Sequence, residues 1–125
     1  MSNAIYKHKV LTGRLIGFAF DIYKQIGPRH PEKVYQKAYE NKLVDAGFRH
    51  KRENYCRIEV DGKRVGSFYL DFVVEDKVVV ELKVGQEIIN QHIAQVLTYL
   101  KINRIELGLV LLFSKDGVKI KRLVL

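Results

Sequence analysis

Residues 77–84 read KVVVELKV, and this run constrains the fold more than any other stretch of the chain. A short, almost unbroken series of β-branched residues is the pattern of a buried strand. Its far end carries an acid and a base. Successive side chains of a strand point to opposite faces, so Glu81 and Lys83 share a face while Leu82 turns away. Charge in a buried strand requires a partner or a chemical role.

The elements around this run follow from the change of hydrophobic period along the chain. Leu11, Leu15, Phe18, Ile22 and Ile26 recur at helical spacing over residues 10–26, and Gly27-Pro28 stops the helix. A second helix is expected from about Pro31, which suits a first helical turn, to a glycine cap at Gly47. Period two then takes over. Residues 55–60 and 64–74 read as strands joined at Asp61-Gly62, a strong hairpin signal. Glu75-Asp76-Lys77 turns the chain into the valine run. Residues 87–102 read as a helix with Ile89, Ile93, Val96, Leu97 and Leu100 on its apolar side. Residues 105–113 and 118–125 read as two last strands about Lys115-Asp116-Gly117. The order α-α-β-β-β-α-β-β predicts an α/β (α+β) domain, a mixed sheet flanked by helices. A length of 125 residues fits one domain over 1–125, with room for a flexible segment at 1–9.

The turn at 75–77 fixes a register. It pairs Val74 with Val78 and Val73 with Val79, which sets Asp71 opposite Glu81 on one face. Facing carboxylates repel unless something positive lies between them. A hard divalent cation, Mg²⁺ or Mn²⁺, is bound by such oxygen donors together with water and phosphate oxygens. Asp71 and Glu81 are thus candidate metal ligands. Lys83 is a candidate catalytic residue that orients or deprotonates a water, or neutralises charge on a pentavalent phosphate. The alternative is a plain cross-strand ion pair of Lys83 with one of the acids.

Composition narrows the partners. The net charge is +8, and the bases cluster at Lys7-His8-Lys9, Arg49-His50-Lys51-Arg52, Lys63-Arg64 and Lys119-Ile120-Lys121-Arg122. A polyanion such as nucleic acid is the natural counterpart. Lys51, Arg52 and Arg57 are candidate phosphate contacts, or simply solvated charges. No apolar stretch is long enough for a membrane span, so no membrane partner is expected. The single Cys56 offers no internal disulfide, and a cytoplasmic location is the default. No zinc ligand pattern, recognition helix or glycine-rich phosphate loop is present.

Asp71…Glu81-Leu82-Lys83 resembles the core motif of the PD-(D/E)xK nuclease superfamily. More narrowly, "IGFAFDIYKQIGP", "EKVYQKAYENKLVDAGF", "YLDFVVEDKVVVELKV" and "HIAQVLTYLKI" resemble, in order, the blocks of its GxxExxY family. The resemblance implies a restriction-endonuclease-like core and a metal-dependent nuclease, with DNA favoured over RNA, and it allows a homodimer. It makes Glu32, which from its position alone would simply complement the helix dipole, a third catalytic and metal-binding acid. It also places Gln95 and Tyr99 beside the ExK strand as supporting or phosphate contacts. His92 shares their helix face at i, i+3, i+7 spacing, although a surface histidine is the simpler reading. Glu32 and Tyr35 match the naming motif, but Arg29 stands where the family has glycine, and no base precedes Asp71 closely. A non-catalytic nucleic-acid-binding or protein-interaction module on the same fold is the alternative function.

Overall fold

The structure is a computed structural model and describes residues 8–125. Lys7 and most of the expected flexible segment lie outside the described residues. The elements run α1 (Lys9–Ile26), α2 (Glu32–Asp45), β1 (His50–Val60), β2 (Lys63–Val74), β3 (Val78–Val84), α3 (Asn90–Asn103), β4 (Leu107–Ser114) and β5 (Gly117–Val124). The sheet order is β1-β2-β3-β4-β5, antiparallel throughout except for the parallel β3–β4 pair. That crossover is carried by α3. The architecture is therefore the mixed sheet with flanking helices expected from the sequence.

Two apolar clusters sandwich the sheet. On one face Leu15, Ile22, Tyr35, Tyr39 and Leu43 of α1 and α2 pack on Phe72, Val78, Val80, Leu82 and Leu109. On the other, Val96, Tyr99 and Leu100 of α3 pack on Cys56, Leu70, Val79 and Val110. The central strands β3 and β4 are covered on both sides, which is why they are nearly pure Val and Leu. Gly108 permits the closest approach of α3: an added Cβ would lie 2.6 Å from Val96 Cγ1.

Helix ends follow local chemistry. Gly47 has φ +75°, Gly47 N–H donates to Val44 O, and Phe48 N–H donates to Leu43 O, the bond pattern of a Schellman cap. Two α2 hydroxyls tie that helix to its neighbour: Tyr35 donates to Gly27 O, just past α1, at 2.6 Å, and Tyr39 donates to Leu15 O within α1 at 2.8 Å. Arg29 has φ +71°, so an arginine adopts the left-handed conformation that a glycine takes without strain. Lys42 of α2 pairs with Asp21 of α1.

Three boundaries differ from expectation. β1 begins at His50, not 55, because the basic stretch pairs with the end of β2: His50 with Val74, Lys51 with Val73, Arg52 with Phe72. α3 begins at Asn90, not 87, and has no side-chain cap or first-turn acid. β4 begins at Leu107 because the chain leaves α3 through Arg104 in a left-handed conformation.

Candidate metal and catalytic site

The site forms where β2 and β3 part. Their ladder holds the expected register, Val74–Val78, Val73–Val79 and Phe72–Val80, and ends there. At the next position side chains replace the backbone ladder. The Asp71 N–H donates to Glu81 Oε1 at 3.0 Å, and the Leu82 N–H donates to Asp71 Oδ2 at 2.8 Å. Each acid thus caps the backbone of the other strand. On the β1 side, Arg52 pairs with Phe72 and Asn54 with Leu70, leaving Glu53 and Asp71 unpaired. Glu53 takes φ +54°. Across this break, which leaves the register unchanged, Leu70 faces α3 while Asp71 reaches towards α2.

Burial makes this pair chemically unusual. Glu81 is only 3% exposed. Desolvation, and then the charge of Asp71, push its carboxyl up to about 8. Desolvation also raises Asp71, against the hydrogen bond from Leu82. Burial and mutual repulsion thus both favour retention of a proton on the metal-free pair. Lys83 Nζ lies 3.5 Å from Glu81 Oε2, with its side chain 24% exposed. The expected ion pair and the expected facing acids are therefore both present.

Glu32 opens α2 at the rim of the site. Burial raises its carboxyl, the nearby Lys83 charge lowers it, and Asp71 raises it. An amide stands between Glu32 and Asp71. Gln36 Nε2 donates to Asp71 Oδ1 at 2.9 Å and to Glu32 Oε2 at 3.5 Å, while Gln36 Oε1 accepts from Arg52 Nη2 at 3.3 Å. Sequence reasoning missed Gln36; its one legible signal was its position one turn after Glu32. Among the described residues no three His, Cys, Asp or Glu side chains are grouped to hold a metal, so the donor set brought together is the Asp71–Glu81 pair.

The other candidates divide. His92 is half-buried on α3: burial first, then the Lys83 charge, hold its imidazole below the usual range, and its Nδ1 is buried without a hydrogen bond. Gln95 is half-buried on the same helix. Tyr99 packs in the α3 cluster beside Cys56, and burial raises its hydroxyl. It does not join Lys83. Arg52 is half-buried rather than solvated, stacked 5.0 Å over Phe72 and bonded to Glu40 as well as Gln36. Lys51 pairs with Asp76 at 3.5 Å and Arg57 with Glu59 at 2.8 Å, both on the surface.

The donor chemistry fits a hard divalent ion. Two desolvated, mutually repelling oxygen groups gain most from a cation that displaces their retained proton. No helix of the described residues is long and apolar enough to cross a membrane.

A family model described as the PD-(D/E)XK nuclease superfamily matches residues 9–123. Among solved structures, the fold is similar to the crystal structure of SSO0001, with a TM-score of 0.53 and 18% identity over 74% of this chain and 48% of that one. The chain thus spans about half the length of that protein. No curated protein matches it.

Proposed function

Since the chain belongs to the PD-(D/E)XK nuclease superfamily, we propose that it is a divalent-metal-dependent nuclease that hydrolyses phosphodiester bonds, with DNA as its substrate class. The observation that carries this reading is the cross-bonded pair of Asp71 and Glu81, with Lys83 against Glu81. Asp71 and Glu81 would hold Mg²⁺ or Mn²⁺, with Glu32 contributing from the rim. When bound, the ion supplies Lewis acidity to a phosphate oxygen and lowers the pKa of a water.

The chain's own groups do the rest. Holding the ion, Glu81 would release its retained proton to solvent, and Lys83 beside it would face the reacting phosphate. Its ammonium orients the attacking water or offsets charge on the pentavalent phosphorus. His92, whose imidazole burial and the Lys83 charge hold below the usual range, carries a buried Nδ1 without a partner. The Gln36–Arg52–Glu40 chain fixes the direction of the Asp71 carboxylate. The narrower GxxExxY assignment is supported by Glu32, by Tyr35, and by the left-handed backbone at Arg29, which is the conformation that family's glycine would take. A cytoplasmic location and a homodimer belong to the same proposal.

The second reading is a nucleic-acid-binding module without catalysis. What favours it is the Gln36 amide between Glu32 and Asp71. A cleavage panel decides between them: single-stranded, duplex, flapped and four-way DNA, and RNA, each with Mg²⁺ or Mn²⁺. Metal-dependent cleavage that is lost in Lys83→Ala supports the nuclease. Salt-sensitive binding without cleavage supports the module.

A further inference from the structure

The β1–β2 hairpin is longer than the sheet it belongs to. β1 and β2 pair from His50–Val74 to Val60–Lys63, whereas β2 and β3 pair only over Phe72–Val74. From Leu70 outwards the two strands form a ribbon that extends past the five-stranded body. One face of its base is covered by α3, through Cys56, Phe68 and Leu70. Alternation turns Tyr55 and Tyr69 to the other face, the side of α1 and α2.

These two tyrosines are direct cross-strand partners, with ring centroids 5.3 Å apart. They are 49% and 63% exposed. Single exposed aromatics are ordinary, but a paired aromatic surface next to an acidic site is not. Tyr69 lies two residues from Asp71, about 7 Å along the strand at roughly 3.3 Å per residue. The Asp71 carboxylate accepts from Gln36 of α2, so it too faces the α2 side.

The charges of the ribbon balance, Arg57, Lys63 and Arg64 against Glu53, Glu59 and Asp61, and Arg57 is paired with Glu59, which leaves Lys63 and Arg64 as the cations near the rings. Arg64 Nη2 donates to Ser67 Oγ at 2.9 Å, and Ser67 and Arg64 in turn hydrogen-bond the Tyr55 hydroxyl, holding its pKa below the usual range. Lys63 is exposed beside it.

We propose that this outer face of the β1–β2 ribbon is a stacking platform for unpaired bases of a nucleic-acid strand whose backbone leads to the Asp71–Glu81 carboxylates. The direction of the strand rests on the nuclease reading; the binding itself needs neither metal nor cleavage. Ring faces stack on base faces, which a duplex keeps buried and an unpaired strand exposes. Lys63 and Arg64 suit phosphates, and the net charge of +8 of the whole chain favours a polyanion as the occupant of this face.

The test is fluorescence anisotropy in EDTA with labelled oligodeoxythymidine, oligouridine and a blunt duplex of equal length. The variants are Tyr55→Ala, Tyr69→Ala, and Phe at both positions. Each alanine is expected to weaken binding of at least one single strand about tenfold. Duplex affinity should change less than about twofold, and the double Phe variant should bind like wild type. Unchanged melting temperatures show that the ribbon still folds. Equal losses on duplex and single strand, or no loss, overturn the proposal. So does a dimer that the alanines dissociate without altering oligonucleotide affinity. A protein that passes this test but cleaves nothing with any metal loses the nuclease reading alone; one that cleaves but fails it loses only the platform.

Discussion

Replacing Glu81 by Gln removes the titrating group of the site while keeping its shape. The carboxyl moves from an ordinary 4.5 to about 8 on folding, because burial and Asp71 disfavour its charge. The folded state therefore holds a proton that the unfolded chain has lost. The contribution is fully present below about pH 4.5 and is lost as pH rises towards 8. At about 1.4 kcal/mol per unit, the full span is on the order of 3–5 kcal/mol. The assay is urea unfolding in EDTA from pH 5 to pH 8. Wild type should lose up to that amount relative to Glu81→Gln across the range. Taking the difference between the two proteins cancels the histidines and other groups away from the site and leaves the titration of the Asp71–Glu81 pair. Adding Mn²⁺ at pH 8 should restore wild type but not the variant. Parallel stability curves would refute the claim that Glu81 is buried with a retained proton.

Further outcomes follow from single residues. Lys83→Ala should abolish cleavage while leaving Mn²⁺ and DNA affinity within a few-fold, since the ammonium acts on the reacting phosphate and not on the ligand set; oligonucleotide cleavage and anisotropy measure the two. Gly108→Ala forces a methyl to 2.6 Å from Val96 and should destabilise by about 1–3 kcal/mol in urea unfolding, because α3 must move off β4. Arg29→Gly should stabilise by about 0.5–1 kcal/mol in the same assay, since relief of the left-handed strain outweighs the added freedom of the unfolded chain.

The residues that announced the fold were those whose surroundings leave little choice. The valine run had to be central, and the turn at Glu75-Asp76-Lys77 fixed the register that brings Asp71 to Glu81. What stayed hidden depends on irregularity or rotation. Nothing in the sequence marks Glu53 and Asp71 as unpaired residues, yet at that break in the ladder Asp71 turns towards α2. The stripe of His92, Gln95 and Tyr99 was visible as a period. Its rotation was not: α3 leaves His92 half-buried and buries Tyr99 beside Cys56. Charge likewise misled at Arg52, because an arginine stem can stack on Phe72 and bond inward while reading as surface. The bridging role of Gln36 needs three elements to be placed first, so it was legible only in the fold.

The most direct measurement is a calorimetric Mn²⁺ titration of wild type, Asp71→Ala and Glu81→Ala, run at pH 7 in two buffers of different ionisation enthalpy. One ion should bind wild type with release of close to one proton, and either alanine should weaken binding at least tenfold. Unaltered affinity in both variants, or binding with no proton released, would contradict a metal held between Asp71 and Glu81.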